Sequence, residues 1–416
     1  MLKNDNGIKI DGIGAWITLF SASMFFFFVY GQMNVLNTLQ SVMIRDLGLR
    51  ESAISKLYAA FFYGNLIWVL PAGLILDRVS LKRAIMLLFS IALVATLLFA
   101  VTDNFNLMLL ARFLLGSVGA FGFISLVKIS SICFSSSRLG LATAAFSAWC
   151  TIGGMVVQTP VAHYLALIGW RNTLMVMVLI GAFFLLLQSF AIRLPKAASN
   201  AKTANTTAPR SIFTSLRQVL FNCQNWLCGI FSSCANLAVF LLGGVFGVPF
   251  LIRTHHYSFI IASSIISLLF AGLIVGNLIF GKLPDWFHKR KPPMYIGSIM
   301  NLAIIGLILI AKNAPIGYMA TLFALYGISA GCQVLSYPVI TESNELANTA
   351  AASSLVSMIL VAGGTLSQLY STLLYLKGEQ ADFTMANGLL ALAAVVALLC
   401  ALGVKETNCQ PLAGTR

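Results

Sequence analysis

The charged residues of this chain leave long stretches empty. No Asp, Glu, Lys or Arg occurs between Asp11 and Arg45, between Arg138 and Arg171, between Arg217 and Arg253, between Lys312 and Glu342, or between Glu345 and Lys377. Each gap exceeds the roughly 20 residues a helix needs to cross a bilayer core. A backbone in hydrocarbon must satisfy its own hydrogen bonds, which leaves helices or a closed barrel. The apolar runs do not alternate with period two, so the pattern predicts helices. Twelve spans follow, over residues 14–35, 53–76, 84–102, 107–128, 139–167, 173–193, 225–252, 259–280, 294–311, 317–340, 347–375 and 384–403. The fold class is an all-α polytopic membrane protein with both termini on one side.

Composition agrees. Of 416 residues 59% are hydrophobic and 9% charged, against about 25% charged in an ordinary soluble domain. The net charge of +14 would by itself suggest nucleic acid, but its distribution says otherwise. Of 26 basic residues, 17 fall in the segments on the side of the termini. Positive loops stay cytoplasmic, so both termini are placed in the cytoplasm and the basic excess meets anionic lipid. The expected partners are the bilayer and a small-molecule substrate, with no nucleic acid, and the chain is expected to be monomeric. The first span carries no small-residue cleavage site and reads as retained rather than as a signal peptide.

Enzyme chemistry finds no footing. The eight cysteines include no C-x-x-C pair, and most lie inside spans as small apolar residues. His255 and His256 fall in a predicted outer loop without a third ligand, which reads as exposed polar surface. No nucleophile set, phosphate loop or zinc motif occurs. No enzyme activity, cofactor or metal is expected.

The chain repeats itself at half its length. Gly73-Leu-Ile-Leu-Asp77-Arg78-Val-Ser-Leu-Lys82-Arg83 returns as Gly281-Lys-Leu-Pro-Asp285-Trp-Phe-His-Lys-Arg290-Lys291, offset by 208 residues. Gly153-Gly154-Met-Val-Val-Gln158 returns as Gly363-Gly364-Thr-Leu-Ser-Gln368 at 210, and Gly116 aligns with Gly327 at 211. Parallel six-helix halves of this kind are one transporter architecture. The predicted organisation is a six-helix bundle over 1–193, a polar cytoplasmic linker over 194–224, and a second six-helix bundle over 225–416.

These motifs carry a family resemblance. G-x-x-x-D-R-x-x-x-K-R with its degenerate second copy resembles the loop motif of the major facilitator superfamily. Arg112-Phe-Leu-Leu-Gly116-Ser-Val-Gly119 resembles that superfamily's fourth-helix motif, and Gly169-Trp170-Arg171 its G-W-R before helix six. The chain departs at Ser80 and Leu81, where the loop motif usually has Gly and Arg, and it lacks the complete G-x-x-x-G-P of antiporters in helix five. Phe246-Gly247-Val248-Pro249-Phe250 and the two G-G-x-x-x-Q copies are similar to a branch of bacterial solute permeases. The resemblance implies a cavity lined by helices 1, 4, 7 and 10, with 3, 6, 9 and 12 outside. It also implies a conformational switch made of Gly73, Asp77, Arg78, Arg83, Gly281, Asp285 and Arg290. In that switch Asp77 and Asp285 face the starts of helices eleven and five, near Asn348 and Ser137, and lock the outward-open state.

Within the spans, Arg112, Lys56 and Lys128 lie close enough to the interfaces to snorkel, and Arg112 reads either as structural or as an anion ligand. No Asp, Glu or His sits mid-span; Glu342 and Glu345 lie at span ends. Relatives coupled to protons commonly place a carboxylate or histidine in the cavity, so the sequence favours uniport or exchange over proton symport. The candidate substrate ligands are Tyr30, Asn34, Arg112, Gln158, Asn277, Gln333, Tyr337 and Gln368, with Asn37 sharing the face of Tyr30 and Asn34 at i, i+4, i+7. Each uncharged one, taken singly, reads first as an interhelical hydrogen bond; the repeat-related pair Gln158 and Gln368 is the exception. Gly116, Gly119, Gly122, Gly272 and Gly276 fit close helix approach, and Gly243, Gly244, Gly247 and Pro249 a bend in helix seven. The expected function is alternating-access transport, across a bacterial inner membrane, of a small carboxylate-bearing solute: an amino acid, a peptide or an organic acid. A carboxylate siderophore satisfies the same logic, and a non-transporting sensor is the alternative of another class.

Overall fold

A computed structural model describes residues 12–193, 218–311, 313–345, 348–376 and 382–409. The chain divides into two compact units, Met1–Ala204 and Asn205–Arg416. Most of the linker expected over 194–224 lies outside the described residues. Unit 1 comprises α1 (Ile13–Asn34), α2 (Leu36–Leu47), α3 (Glu51–Arg78), α4 (Leu81–Val101), α5 (Phe105–Cys133), α6 (Ser136–Val156) and α7 (Thr159–Ala191). Unit 2 begins with α8 (Cys223–Ala238), a π-helical segment (Val239–Phe246), α9 (Gly247–His255), α10 (Phe259–Phe287) and α11 (Lys291–Ile310). It continues with α12 (Ile316–Ala330), a 3-10 turn (Gly331–Leu335), α13 (Ser336–Ser343) and α14 (Thr349–Ala362). A second 3-10 turn (Gly363–Leu366), α15 (Ser367–Leu374) and α16 (Phe383–Gly403) complete it.

Among the described residues, eleven helical stretches are long and apolar enough to cross a membrane. One of them, Leu141–Ala191, has 51 residues, about 76 Å if straight and more than twice a ~30 Å core. It therefore holds two crossings, which makes twelve. The corner between them is Gly169, at φ 76° and ψ 168° inside α7, a backbone that only glycine adopts without strain. The two spans expected over 139–167 and 173–193 thus meet at a glycine corner instead of a loop, and the earlier of them breaks at Val157–Gln158. Trp170 is buried and packs edge-on to Phe99, and the Arg171 guanidinium lies 4.1 Å over the Trp170 ring while bonding Asp103.

Within each unit, glycines draw helices together in the same way. A Cβ on Gly116 would lie 1.7 Å from the Phe61 carbonyl oxygen, and one on Gly64 would lie 2.1 Å from that of Phe113, so α3 and α5 meet backbone to backbone. In unit 2, a Cβ on Gly327 would lie 2.0 Å from the Leu269 carbonyl and one on Gly272 2.1 Å from that of Ala324, closing α10 on α12. Small residues allow such approach where lipid removes the hydrophobic drive between helices. α4, α7, α11 and α16 carry the exposed apolar band, with Val94, Leu179, Phe190, Ile299 and Leu392 among its members; in a bilayer these side chains face lipid.

Candidate functional site

The first span of unit 1 is interrupted at Val35, between α1 and α2. The polar run explains the slip, because Asn and Thr side chains compete for backbone groups. Asn34 Nδ2 donates to the Tyr30 carbonyl at 2.8 Å, and the amides of Thr38 and Leu39 share the Val35 carbonyl. Carbonyls loosened at the break must find donors elsewhere. Arg112, from α5, supplies them: Nη1 donates to Gln32 O at 2.6 Å, Nη2 to Met33 O at 3.5 Å, and Nε to Leu57 O at 3.3 Å. The guanidinium is 1% exposed and lies 5.3 Å from the Phe61 ring centroid. Snorkelling is thereby corrected for Arg112: the break in the first span offers it carbonyls nearer than the interface does. Lys128 likewise donates to the Leu76 carbonyl, at 2.6 Å, near the end of α3.

The break in the fifth span lies against the break in the first. Thr38 Oγ1 donates to the Val157 carbonyl at 2.8 Å, Asn37 Nδ2 to Gln158 Oε1 at 3.3 Å, and Gln158 Nε2 returns to the Asn34 carbonyl at 3.4 Å. Gly153 lets the two spans touch, since a Cβ there would meet the Phe27 carbonyl at 2.3 Å. The G-G-x-x-x-Q motif is thus a packing contact followed by a stitch across two broken helices. Arg112 and Gln158 meet at this junction, with Asn34 between them and Tyr30 one turn away on α1.

Unit 2 repeats the interruptions but surrounds them differently. Its seventh span widens into the π-helical segment at the place that corresponds to the Val35 break, and its eleventh tightens into the 3-10 turn Gly363–Leu366, just before Gln368. Its tenth span tightens at Gly331–Leu335, where α10 comes so close that a Cβ on Gly331 would lie 2.5 Å from the Asn277 amide nitrogen. Ser232 on α8 donates to the Gln333 carbonyl at 2.9 Å, and Ser336 to the Cys228 carbonyl at 2.9 Å, fixing α8 on the same turn. Around this turn the side-chain oxygens of Asn236, Asn277 and Gln333 are buried without a hydrogen-bond partner. An unsatisfied buried polar group costs about 1–3 kcal/mol, so three in one place stand out. Tyr337 instead bonds Ser357 at 3.1 Å. Gln158 is fully buried whereas Gln368 is half-buried, so the repeat-related glutamines stand in different surroundings.

At one end of unit 2 a charged clasp joins three segments. Arg290 bonds Glu342 on α13 through Nη2 at 2.6 Å and Nε at 3.2 Å. Thr407 donates to the same carboxylate. Glu406, beyond α16, accepts the Arg290 and Lys291 amides at 2.7 and 2.9 Å, capping the start of α11. Burial disfavours the charge on Arg290, but the bonded Glu342 carboxylate more than offsets it, and the guanidinium pKa lies above its ordinary value. Partial burial likewise raises the Glu406 pKa, yet its backbone N–H donors outweigh that and hold it below its usual value.

These features fit what comparison with known proteins finds. The family model described as Major Facilitator Superfamily matches residues 20–368. The chain belongs to the major facilitator superfamily. It is 23% identical over 431 residues, 93% of each chain, to the "Probable galactarate/D-glucarate transporter GudP" of Escherichia coli (strain K12). In fold it is similar to a bacterial homologue of the human lysosomal transporter Spinster, in an inward-facing and unoccupied conformation. That pair has a TM-score of 0.72 and 15% identity, over 94% of this chain and 96% of that one. It is also similar to a mutant form of the nucleoside transporter NupG, with a TM-score of 0.72 and 18% identity over 94% of this chain and 99% of that one. At these identities the structural likeness speaks to the fold alone.

In this member of the superfamily the motif residues divide. The side chains of Asp77 and Arg78 lie outside the described residues. Gly73 and Gly281 have open space where a Cβ would go, and Arg83 and Asp285 are exposed. Among these described switch residues, Arg290 is the one drawn into the clasp, and its partners Glu342 and Glu406 stand too far away in sequence for motif reading to join them. Thr38 and Asn236 fall outside the candidate ligands read from the sequence, whereas Asn37 shares the helix-one face of Tyr30 and Asn34 at i+7. His255 corrects another expectation: helix seven runs on to it and ends at His256, at φ 58°. His255 is consequently buried between Phe250 and Tyr257 rather than exposed in a loop. Among the described residues no group of His, Cys, Asp or Glu is arranged to hold a metal ion.

Proposed function

We propose that this major facilitator superfamily transporter carries a small carboxylate-bearing organic solute across a bacterial inner membrane by alternating access. The observation that carries the reading is Arg112. It is a guanidinium buried inside a membrane span, and it has no carboxylate among its hydrogen-bond partners. A buried charge without a counter-ion is expensive, and its three bonds use three of five N–H donors. An anionic solute supplies both the missing charge and acceptors for the remaining donors. The near full-length likeness to a relative named for two sugar diacids points the same way. Coupling to protons has no mid-span carrier, and Glu342 is committed to Arg290, so the reading is uniport or exchange.

The test is uptake into proteoliposomes from a panel of amino acids, peptides, hydroxylated diacids and neutral solutes, with and without a pH gradient. Acids are expected to enter without gradient-driven accumulation, and Arg112→Gln to abolish their entry. Preferential entry of neutral solutes would overturn the carboxylate reading, and accumulation driven by the gradient would overturn the uncoupled one.

A further inference from the structure

The side-chain acceptors left open in unit 2 point to a ligand chemistry of their own. Asn236, Asn277 and Gln333 come from three different spans and gather within about one turn of the 3-10 segment Gly331–Leu335. Ser232 and Asn236 are four apart on α8 and share a face; the Ser232 bond to the Gln333 carbonyl sets that face against the segment. Asn277 follows Gly276, where a Cβ would lie 2.1 Å from the Ile328 carbonyl. Asn236 is 4% exposed, and all three side-chain oxygens are closed off without a partner.

Other buried carboxamides are not left so. Asn301 reaches the Ala235 carbonyl at 3.3 Å, and Asn387 accepts from the Tyr370 hydroxyl. Asn34, Gln188 and Asn348 also have an unpartnered oxygen, yet each donates through its amide nitrogen, to the Tyr30 carbonyl, the Ser21 carbonyl and the Gln218 side chain. Among the described residues, the carboxamides that have an open oxygen and no anchoring amide bond are those of this turn. A carboxamide both accepts and donates, and none of the three carries charge. They suit a ligand whose groups also do both, which is a chain of hydroxyls.

We infer that Asn236, Asn277 and Gln333 form a hydroxyl-reading subsite within unit 2, so that the protein recognises a polyhydroxylated solute. This rests on the transport reading and not on the carboxylate one. The test measures uptake, by the full-length protein in proteoliposomes, of two matched pairs that differ in hydroxyls: galactarate against adipate, and uridine against 2′,3′-dideoxyuridine. Wild type is expected to prefer the hydroxylated member of a pair. Asn236→Leu, Asn277→Leu and Gln333→Leu are each expected to cut that preference by about tenfold, one hydrogen bond's worth, with the deoxy member moved as before.

Preference within the uridine pair alone, lost in the variants, sinks the carboxylate reading and keeps the subsite. A wild type indifferent in both pairs overturns the subsite. So do variants that lose both members equally, the mark of a damaged fold. Thermal unfolding separates folding loss from recognition loss: the leucine variants are expected to melt no lower than wild type, because each removes an unsatisfied polar group, and a lower melting point in all three overturns the proposal.

Discussion

The two halves interrupt spans one and seven, and five and eleven, at corresponding places, but the turn in the tenth span has no counterpart in the unbroken α5, and the polar groups beside the interruptions are treated in opposite ways. In unit 1 the breaks at Val35 and Val157–Gln158 face each other, and Arg112, Asn37, Thr38 and Gln158 stitch them. In unit 2 a π-helical segment and two 3-10 turns interrupt the seventh, tenth and eleventh spans, and three carboxamides beside the tenth are left open. A helix interruption is thus not by itself a ligand site. Backbone groups freed at a break must find partners, and unit 1 supplies them from its own side chains, whereas the open side-chain oxygens beside the turn of unit 2 are, on the reading proposed above, answered by a solute.

The largest effect is expected from removing the stitch that carries charge. Arg112→Met strands the Gln32 and Met33 carbonyls at the break, and each buried acceptor left unsatisfied typically costs about 1–3 kcal/mol. Denaturation in detergent micelles is expected to show that loss, with uptake falling at least about a hundredfold. Arg112→Lys is expected to rescue little of either, because an ammonium lacks the planar fork that spans two helices. Normal stability in Arg112→Met would show that the break holds without its stitch, and the contrast between the halves would fail.

A scaffold shared by both halves sets the next scale. Gly116→Ala and Gly327→Ala place a methyl 1.7 and 2.0 Å from the Phe61 and Leu269 carbonyl oxygens. Overpacking of this kind costs typically about 1–3 kcal/mol, and the two variants are expected to lose similar amounts in thermal unfolding. A large loss in one and none in the other would show that the halves differ in scaffold as well as in polar chemistry.

These contrasts bound what the amino-acid order reveals. The twelve spans were legible because charge is excluded from hydrocarbon at every position of a crossing, a rule that needs no tertiary knowledge. The repeat was legible through Gly116 and Gly327, since backbone contact tolerates glycine alone. Whether Gln158 faces a solute or a neighbouring carbonyl was not legible. That depends on which helix breaks beside it, and the break at Val35 has no proline or glycine to announce it. Asn236 was hidden for the same reason: a lone Asn in an apolar run says nothing of whether its partners exist. The clasp was hidden because Arg290, Glu342 and Glu406 meet only after three segments fold together.

Gln158 and Gln368 probe the difference between the halves more finely. Gln158→Ala removes the acceptor of Asn37 and the donor to the Asn34 carbonyl, a loss of about 1–2 kcal/mol at ~1 kcal/mol for each bond. Gln368 is half-buried, and Gln368→Ala is expected to cost less in denaturation. Equal costs would mean that the second glutamine is stitched as firmly as the first.

The smallest effect is an acid response confined to unit 2. Glu406 titrates below its ordinary value of 4.5 because backbone amides bond its carboxylate. A depressed carboxylate contributes stability that is fully present above its ordinary value and drains away as pH falls through the folded-state value. In unit 1 the repeat counterpart of Arg290 is Lys82, which donates to the Ser189 carbonyl at 2.6 Å, a bond to a neutral acceptor that does not titrate. Hydrogen exchange at decreasing pH, corrected for intrinsic rates, is therefore expected to release the Arg290, Lys291 and Asn408 amides before the start of α4 loosens. Glu406→Gln is expected to leave those amides weakly protected at every pH and to remove the acid step. Simultaneous loosening of both regions would instead place the acid-sensitive group outside the clasp.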